Sequence, residues 1–492
     1  MINYYSAIDR GNEEIDDGIN LRLPSGKRLD YGNRDYDINM LIADKAWDQQ
    51  GQLWFNPHNK LGFIGDQLLT NWIYHPTLDV RARRYRFRIL NGSVSRFFKL
   101  ALVTESSEGW APVPFHMIAN DGNIMEHAVE FPDGIMPTIG IAERYDIIID
   151  FSNFAPGDTL YFVNLMQHKT GQSTDAIVSL DDTMSGVYDN DLVSDEEYGA
   201  DPVVGKFMKM VVHEYDGTDL SMDPSEYVEG GKVMIPIRRP TPEQLATATH
   251  RTFELEKKEG EEPWGIGNDG SSEILSMDPH RVSALVTKSP DDMEVWRLLN
   301  SGSWSHPYHI HFEEAVMLSK NGKRPPPHEY YARKDVFRMG PDEDSAVVME
   351  LAYRFRDFEA TFMGHCHNTQ HEDHAMLLRW DVENPGTQKL LSAPIPTWDG
   401  GSLEESFGLE TMRIGDGVGD TGPELHPVKE WLRGIVYGGF GPNGEDGLDD
   451  IEIGDVSRLM TCSMTFLTYT QCFYNHTLTY PSMCIGAQSK VR

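Results

Sequence analysis

The sequence has few basic residues, few cysteines and no long apolar run. Its 43 lysines and arginines are outnumbered by 77 aspartates and glutamates, which gives a formal net charge of -34, and it contains 4 cysteines. A surface this negative repels a phosphate backbone, so we expect no nucleic-acid partner. No stretch reaches the roughly 18 consecutive apolar residues of a membrane span, so we expect no span either. The charge indicates solubility or a saline habitat, or else a surface that attracts cations.

The chain instead repeats short strand-like runs between turn residues. The sequence holds 44 glycines and 28 prolines, and strand-like runs such as 84–90 and 145–151 stand between Gly, Asn, Asp and Pro residues. Runs of this length and spacing are typical of β-sandwiches. Few helical periodicities exceed two turns, and residues 241–249 are one candidate. The pattern therefore predicts an all-β fold.

Composition divides the chain into five parts. Residues 1–35 are polar and acidic, 36–185 and 206–385 carry two predicted sandwiches, 186–205 form an acidic linker, and 386–492 form a Gly/Asp-rich tail that is irregular or disordered. The second sandwich holds every candidate metal motif. The tail holds three of the cysteines, which could make one disulfide with one thiol left over; they are Cys462, Cys472 and Cys484.

The most informative segment begins at Gly364 and holds four histidines, a cysteine and a methionine within sixteen residues. In an extended strand, successive side chains point to opposite faces. His365 and His367 would therefore face one way and Cys366 the other. One short strand could then serve two metal sites, with the backbone joining them.

Further donors follow Cys366 at regular spacing. His371 comes five residues later and Met376 five residues after that. A thiolate, an imidazole and a weak thioether are the ligands of a blue-copper site that lacks only its second histidine. A single free cysteine is more often an inert core residue, and His374 fits no ligand position. The coincidence of several spacings nevertheless indicates copper.

The missing histidine is available in a second cluster upstream. His306 precedes a proline, and His309 and His311 follow at positions that share one face of a strand. His306 can therefore point away from the other two and complete the set of donors around Cys366. A lone His-x-His pattern is weak, so the indication comes from the two clusters together.

The pairing of these two clusters resembles the C-terminal copper motifs of multicopper oxidases, the family of laccases, bilirubin oxidases and spore-coat laccases. The His-Cys-His-x3-His-x4-Met form, followed by Glu372-Asp373, looks most like the bilirubin-oxidase and spore-coat branch. The resemblance covers about residues 1–385. It implies tandem cupredoxin-like Greek-key β-sandwiches, with residues 1–35 as the remnant of a preceding domain.

The resemblance also implies a role for each candidate residue. Electrons would enter through the solvent-facing edge of His371 or His306 and leave through Cys366, and Glu372 would help to supply protons, so that Glu372, Cys366 and His371 take part in catalysis. The implied copper ligands are His306, Cys366, His371 and axial Met376 for type 1, His309 for type 2, and His311, His365 and His367 for the type 3 pair.

The chain departs from the family in one chemically important respect. The family's trinuclear copper cluster takes eight histidines, four of them from a first domain, whereas His-x-His occurs here only at His309/His311 and His365/His367. The type 1 site is complete, but the type 2 and type 3 sites are half-supplied. We expect either a piece of a longer oxidase, which we favour, or a chain that borrows a domain from a partner.

The resemblance implies a copper oxidoreductase that couples one-electron oxidation of phenols, aromatic amines or similar reductants to four-electron reduction of O2 to water. One alternative is a metal oxidase for Mn(II), Fe(II) or Cu(I), weakly suggested by Glu313-Glu314 beside His311. Another is a non-enzymatic type 1 copper electron-transfer or copper-binding protein. The family is mostly exported, so we expect a periplasmic, extracellular or surface location, although the sequence begins without a recognisable signal peptide.

Overall fold

The computed structural model describes most of the chain up to residue 383. Its described residues are 7–26, 35–48, 50–57, 59, 61–107, 109–188, 200–257, 264–268, 274–275, 277, 281–287, 293–300, 302–342, 344–355 and 359–383. The predicted tail with its three cysteines, and most of the acidic linker, lie outside these residues.

The first part of the chain forms two large sheets and a two-stranded ribbon. The eight-stranded sheet has the order β10-β9-β11-β6-β1-β3-β4, with β2 beside β1, and the five-stranded sheet has the order β5-β15-β12-β7-β8. The strands are β1 (Asp37–Trp47), β2 (Leu53–Trp54), β3 (Gln67–Thr70), β4 (Ile73–Tyr74), β5 (Thr77–Arg81), β6 (Arg84–Asn91), β7 (Leu100–Ser106), β8 (Gly109–Pro112), β9 (Phe115–Asn120), β10 (Asn123–Phe131), β11 (Arg144–Asp150), β12 (Thr159–Asn164) and β15 (Gly205–His213), and the ribbon pairs β13 (Met166–Gln167) with β14 (Ala176–Ile177).

The second part forms two further sheets. The six-stranded sheet has the order β18-β17-β16-β20-β24-β22, and the five-stranded sheet that carries the candidate metal ligands has the order β19-β26-β25-β21-β23. These strands are β16 (Thr249–Lys257), β17 (Trp264–Asn268), β18 (Ile274–Leu275), β19 (Val282–Thr287), β20 (Glu294–Leu299), β21 (His306–Ile310), β22 (Val316–Lys320), β23 (Val336–Met339), β24 (Val348–Tyr353), β25 (Thr361–Cys366) and β26 (Leu377–Glu383).

Helices are short and lie in the connections. The α-helices are α1 (Leu180–Ser185), α2 (Pro242–Thr247), α3 (Pro327–Tyr330) and α4 (Thr369–Asp373), and 3-10 turns lie at Phe151–Asn153 and Pro224–Tyr227. Helix α2 lies inside the predicted helical segment and begins with a capping box, in which Thr241 and Gln244 bond each other's backbone N–H groups. No helix in the described part of the chain is long and apolar enough to span a bilayer.

Each pair of sheets encloses its own core. Strand β11 is paired along both edges, with β6 and β9, and the burial of the consecutive residues Ile147, Ile148 and Ile149 shows that both of its faces are covered. In the second core, Cys366 and Met376 are fully buried with the aromatic side chains of the sheets. The prediction of an all-β fold is confirmed.

Strand β15 belongs to the first sandwich, although the sequence analysis assigned most of its residues to the second. It pairs with β12 and, in parallel, with β5, so it completes a sheet of the first sandwich. The predicted second domain begins at residue 206, inside this strand, because a sequence boundary placed at a linker ignores a strand that returns to the earlier sheet. The remaining domain boundaries stay predictions.

Candidate metal centre

Two adjacent strands bring the histidine clusters together. Strand β21 pairs antiparallel with β25, and the register places Tyr308 opposite Cys366 and His309 opposite His365. The backbone N–H of His367 donates to the Pro307 carbonyl at 2.6 Å, so the pairing continues past the end of β25. Residues about 57 positions apart in sequence thus become cross-strand neighbours, whose side chains meet on each face of the sheet.

A buried group of three donors lies on the core face. The Cys366 Sγ atom is 3.5 Å from His306 Nδ1 and 3.8 Å from His371 Nδ1. The two Nδ1 atoms are 3.2 Å apart. All three side chains are at most 1% exposed. The structure therefore brings together a sulfur and two imidazole nitrogens that the sequence places 60 and 5 residues apart.

Helix α4 carries His371 to this position. The Asn368 side chain accepts a hydrogen bond from the Gln370 N–H and caps the helix, and Ala375 with a φ of 77° closes it. Met376 follows, fully buried, and its backbone bonds both His371 O and Cys366 N at 3.1 Å. The predicted axial residue therefore lies in the same loop and the same core as the three donors.

Loops of the first sandwich hold Asn368 in place. Its amide accepts from Ser95 Oγ at 2.9 Å and donates to the Gly171 carbonyl at 3.2 Å. Gly62 and Gly171 pack so closely that a Cβ on Gly171 would lie 2.5 Å from the Gly62 backbone. The Asn368 amide also lies 3.3 Å from His371 Nε2. The first sandwich, which supplies no predicted ligand, thus fixes the loop that carries one.

The chemistry of this donor set fits copper. Burial lowers the pKa of His306 to about 3, so its imidazole is neutral and can offer a lone pair. Burial also raises the pKa of the Cys366 thiol well above its ordinary value, so a bound cation would be required to stabilise a thiolate. A thiolate, two imidazoles and a nearby thioether suit blue copper rather than the oxygen-preferring ions.

The expected solvent-facing histidine edge is absent from this centre. His371 and His306 are 0% and 1% exposed. The Trp264 ring lies 4.4 Å from the His371 ring and 5.5 Å from the His306 ring, and Trp304 packs on Trp264 at 4.6 Å. The expectation was wrong because these indoles cover the imidazoles: Trp264 begins strand β17, and Trp304 lies in the connection just before β21.

The second group of donors lies on the opposite face. Ligand nitrogens of His309, His311 and His365 lie within 4.8 Å of one another, and the His311 and His365 Nε2 atoms are 3.1 Å apart. The His367 ring lies beside this group, 5.3 Å from the His365 ring and 5.7 Å from the His309 ring. Its Nδ1 atom is buried and has no hydrogen-bond partner within the described structure. A buried imidazole nitrogen without a partner fits a metal ligand.

Neighbouring oxygens orient two of these imidazoles. His309 Nδ1 lies 2.9 Å from the Asp335 carbonyl, and burial lowers the pKa of His309 to about 3. His365 Nδ1 lies 3.1 Å from the Cys366 carbonyl and 3.2 Å from Glu372 Oε2. A neutral imidazole that donates from Nδ1 presents Nε2 as the free acceptor, which is the usual arrangement of a metal-binding histidine.

The predicted site residues thus fall into two groups joined by consecutive residues. Cys366 belongs to the buried group, and its chain neighbours His365 and His367 belong to the other. His374 lies in neither group. Sequence reasoning missed four residues that surround the donors, which are Trp264, Asn368, Asp335 and Arg144. No sequence signal indicates that Arg144, at the start of strand β11, binds Asp335 beside His309.

Known proteins share this architecture. The multicopper oxidase family profile matches residues 236–386. A bilirubin oxidase from Albifimbria verrucaria is 30% identical over 367 residues, which are 74% of this chain and 54% of that protein. A laccase from Haloferax volcanii is 28% identical over 370 residues, with the same two coverages of 74% and 54%. The crystal structure of the multicopper oxidase McoA from Aquifex aeolicus matches with a TM-score of 0.52 at 20% identity, over 71% of this chain and 66% of that one, which shows a shared fold. The chain spans about half the length of the curated relatives it matches.

Proposed function

We propose that this chain, which belongs to the multicopper oxidase family through its C-terminal region, is a copper-dependent oxidoreductase that takes single electrons from phenols, aromatic amines or similar reductants and passes them to dioxygen. The observation that carries the proposal is the placement of Cys366 between His365 and His367. Two groups are thereby joined through three consecutive residues. They are the buried group of Cys366, His306 and His371, and the four-histidine group of His309, His311, His365 and His367.

The residues divide as the family motif implies. Copper would supply reversible one-electron chemistry at both groups. His306, Cys366, His371 and Met376 would hold the type 1 copper, His309 would hold the type 2 copper, and His311, His365 and His367 would hold the type 3 pair. The β21–β25 pairing positions His306, His309, His365 and Cys366, and helix α4 positions His371.

The protein's own groups control water and protons around these donors. The indole of Trp264 and the core of the second sandwich exclude water from the buried group. Glu372 is 26% exposed in its side chain and lies 3.2 Å from His365 Nδ1, so it can exchange protons with solvent beside the four-histidine group. This position suits the proton-supplying role that we assign to Glu372.

The acidic pair Glu313-Glu314, which suggested a metal oxidase, does not strengthen that alternative. Glu313 is 3% exposed, and Glu314 accepts a hydrogen bond from Arg333 at 3.1 Å. Both carboxylates are therefore engaged within the fold. We place phenols and aromatic amines first, and an oxygen-uptake comparison of a phenol with Mn(II) distinguishes the two substrate classes.

Quantitative EPR of the purified, copper-loaded chain tests the copper assignment. We expect a narrow-hyperfine thiolate signal of about one copper per chain, together with further copper at the four-histidine group by total metal analysis. Loss of the thiolate signal under every loading condition would overturn the assignment of Cys366. A thiolate signal without oxygen uptake from any reductant would indicate a type 1 site standing alone, either in an electron carrier or in an oxidase that needs cluster histidines from a further domain.

Substitution of the predicted axial residue tests the buried group separately. We expect Met376→Leu to raise the reduction potential of the type 1 copper, because even a weak thioether donor stabilises Cu(II) and leucine offers no donor. The measurement is a redox titration of the visible absorption. Met376→Gln is the matched control, since its amide oxygen is a stronger axial donor and should lower the potential. An unchanged potential in both variants would remove Met376 from the site.

A further inference from the structure

We propose that Arg144, on the first sandwich, positions His309 for metal binding by holding Asp335. The inference rests on the proposed function, in which His309 is a metal ligand. Arg144 contacts no metal donor itself and acts through the segment Lys334–Val336. Arg144 is a positioning residue, and nothing in the sequence of strand β11 indicates this role.

Asp335 is the direct partner of His309. The Asp335 carbonyl lies 2.9 Å from His309 Nδ1 and also accepts the backbone N–H of Ile310 at 3.0 Å. The Asp335 carboxylate lies 3.8 Å from the same Nδ1. Because a carbonyl oxygen can only accept, the imidazole carries its proton on Nδ1 and keeps its lone pair on Nε2. Displacement of this one peptide would rotate the imidazole or change its tautomer.

Arg144 holds Asp335 with a two-pronged interaction. Its Nη1 and Nη2 atoms each donate to one carboxylate oxygen at 2.7 Å. The guanidinium is itself fixed, because Nη1 donates to the Ala142 carbonyl at 3.0 Å and Nη2 donates to the Asp121 carbonyl at 2.8 Å. A bidentate pair of this kind fixes the position and the orientation of the carboxylate plane.

Asp121 holds the same segment from its backbone side. One oxygen of its buried carboxylate accepts the backbone N–H groups of Asp335 and Val336 at 3.2 and 3.1 Å. The same oxygen accepts the Lys334 ammonium at 2.9 Å. Asp121 and Arg144 are joined in turn, because the Arg144 N–H donates to Asp121 Oδ1 at 3.1 Å. Residues of the first sandwich thus hydrogen-bond both the backbone and the side chain of Asp335, which orients His309.

Arg144 and Asp121 together form a clamp on the segment Lys334–Val336, and the effect of this clamp is confined to one donor group. Among the described hydrogen bonds of Arg144 and Asp335, none reaches the group formed by Cys366, His306 and His371. Loss of the clamp should therefore disturb the four-histidine group and leave the type 1 group unchanged. A general loss of structure would disturb both.

Arg144→Gln in the full chain tests the inference. We expect it to weaken Cu(II) binding at the four-histidine group by about 10- to 100-fold, as is typical when the partner of a ligand histidine is lost. The type 1 absorption should stay at its wild-type intensity. Arg88→Gln is the matched control, because Arg88 makes an equivalent bidentate pair with Asp37 at 2.7 Å within the first sandwich. It should leave both copper signals unchanged.

A second readout needs no metal. In long-range 1H–15N spectra of the metal-free chain with labelled histidines, His309 should show its proton on Nδ1, and Arg144→Gln should abolish this preference. Signals are assigned with His309→Ala. An unchanged His309 tautomer in Arg144→Gln, or an equal loss in Arg88→Gln, overturns the inference. If the wild type binds no copper at this group, the proposed function fails there, and the tautomer alone decides the role of Arg144.

Discussion

Cys366→Ser should eliminate the intense visible absorption of the copper-loaded chain and its narrow-hyperfine EPR signal. Both depend on a covalent Cu–thiolate bond, which a serine hydroxyl cannot reproduce. The sulfur lies 3.5 Å from His306 Nδ1 and 3.8 Å from His371 Nδ1, so Cys366 is central to the buried group. Cys366 is the free cysteine within the described part of the chain. We therefore expect complete loss rather than a shift.

Matched controls separate ligand loss from unfolding. Cys472→Ser makes the same chemical change in the tail and should leave the absorption unchanged. Cys366→Ser buries a hydroxyl in an apolar core and should cost about 1–3 kcal/mol of unfolding free energy, which still leaves a folded chain. Circular dichroism checks the fold of each variant. Retained absorption in Cys366→Ser, or its loss in Cys472→Ser, would contradict the assignment.

The donors could be predicted because local chain geometry determines them. The period of two along a strand placed His365 and His367 on one face and Cys366 on the other, and the structure has this arrangement. His306 lies three residues before His309 in strand β21, so the same period places the two histidines on opposite faces. Each inference needed only a few consecutive residues, which is the range over which backbone geometry is fixed by sequence.

The surroundings of the donors could not be predicted because they depend on distant contacts. Arg144 and Asp335 are 191 residues apart, and Ser95 and Asn368 are 273 apart. No periodicity links such positions, and charged residues in a strand are usually solvated. The covering of His371 by Trp264 likewise depends on a contact between strand β17 and helix α4, which no local sequence pattern links. Sequence reasoning therefore identified candidate donors that the structure brings together, but it assigned a solvent-facing edge to imidazoles that are buried.

A buried ion cluster in the first sandwich provides the largest expected effect on stability. The Arg96 guanidinium donates to Asp44 Oδ2 at 3.0 Å, to Asp201 Oδ2 at 2.5 Å and to the Gly65 carbonyl at 2.9 Å. All three charged side chains are 0% exposed. The two carboxylates hold the pKa of Arg96 above its ordinary value despite its burial. The cluster is therefore charged, and each member depends on the others.

Arg96→Met should lower the unfolding free energy of the metal-free chain by about 3–5 kcal/mol, because it leaves two buried carboxylates without their cation. The expected loss is measured from the midpoint and slope of urea unfolding at neutral pH. Arg10→Met is the matched control, since Arg10 is paired with Asp17 at the surface, where its side chain is 37% exposed. An exposed pair contributes about 0–1 kcal/mol. A loss below about 1 kcal/mol in Arg96→Met would mean that the carboxylates tolerate burial without the cation.

The same substitution should reach the copper centre through the loop that the cluster anchors. Asp201 Oδ2 also accepts the backbone N–H of His168 at 2.9 Å, and three residues later the Gly171 carbonyl accepts the Asn368 amide. Because Asn368 caps the helix that carries His371, a loosened loop should lower the temperature at which the type 1 absorption disappears. Arg96→Met should lower this temperature in parallel with the loss of global stability, and Arg10→Met should not. If the absorption of Arg96→Met persisted to the wild-type temperature while the first sandwich unfolded earlier, the second sandwich would hold its type 1 ligands without support from the first.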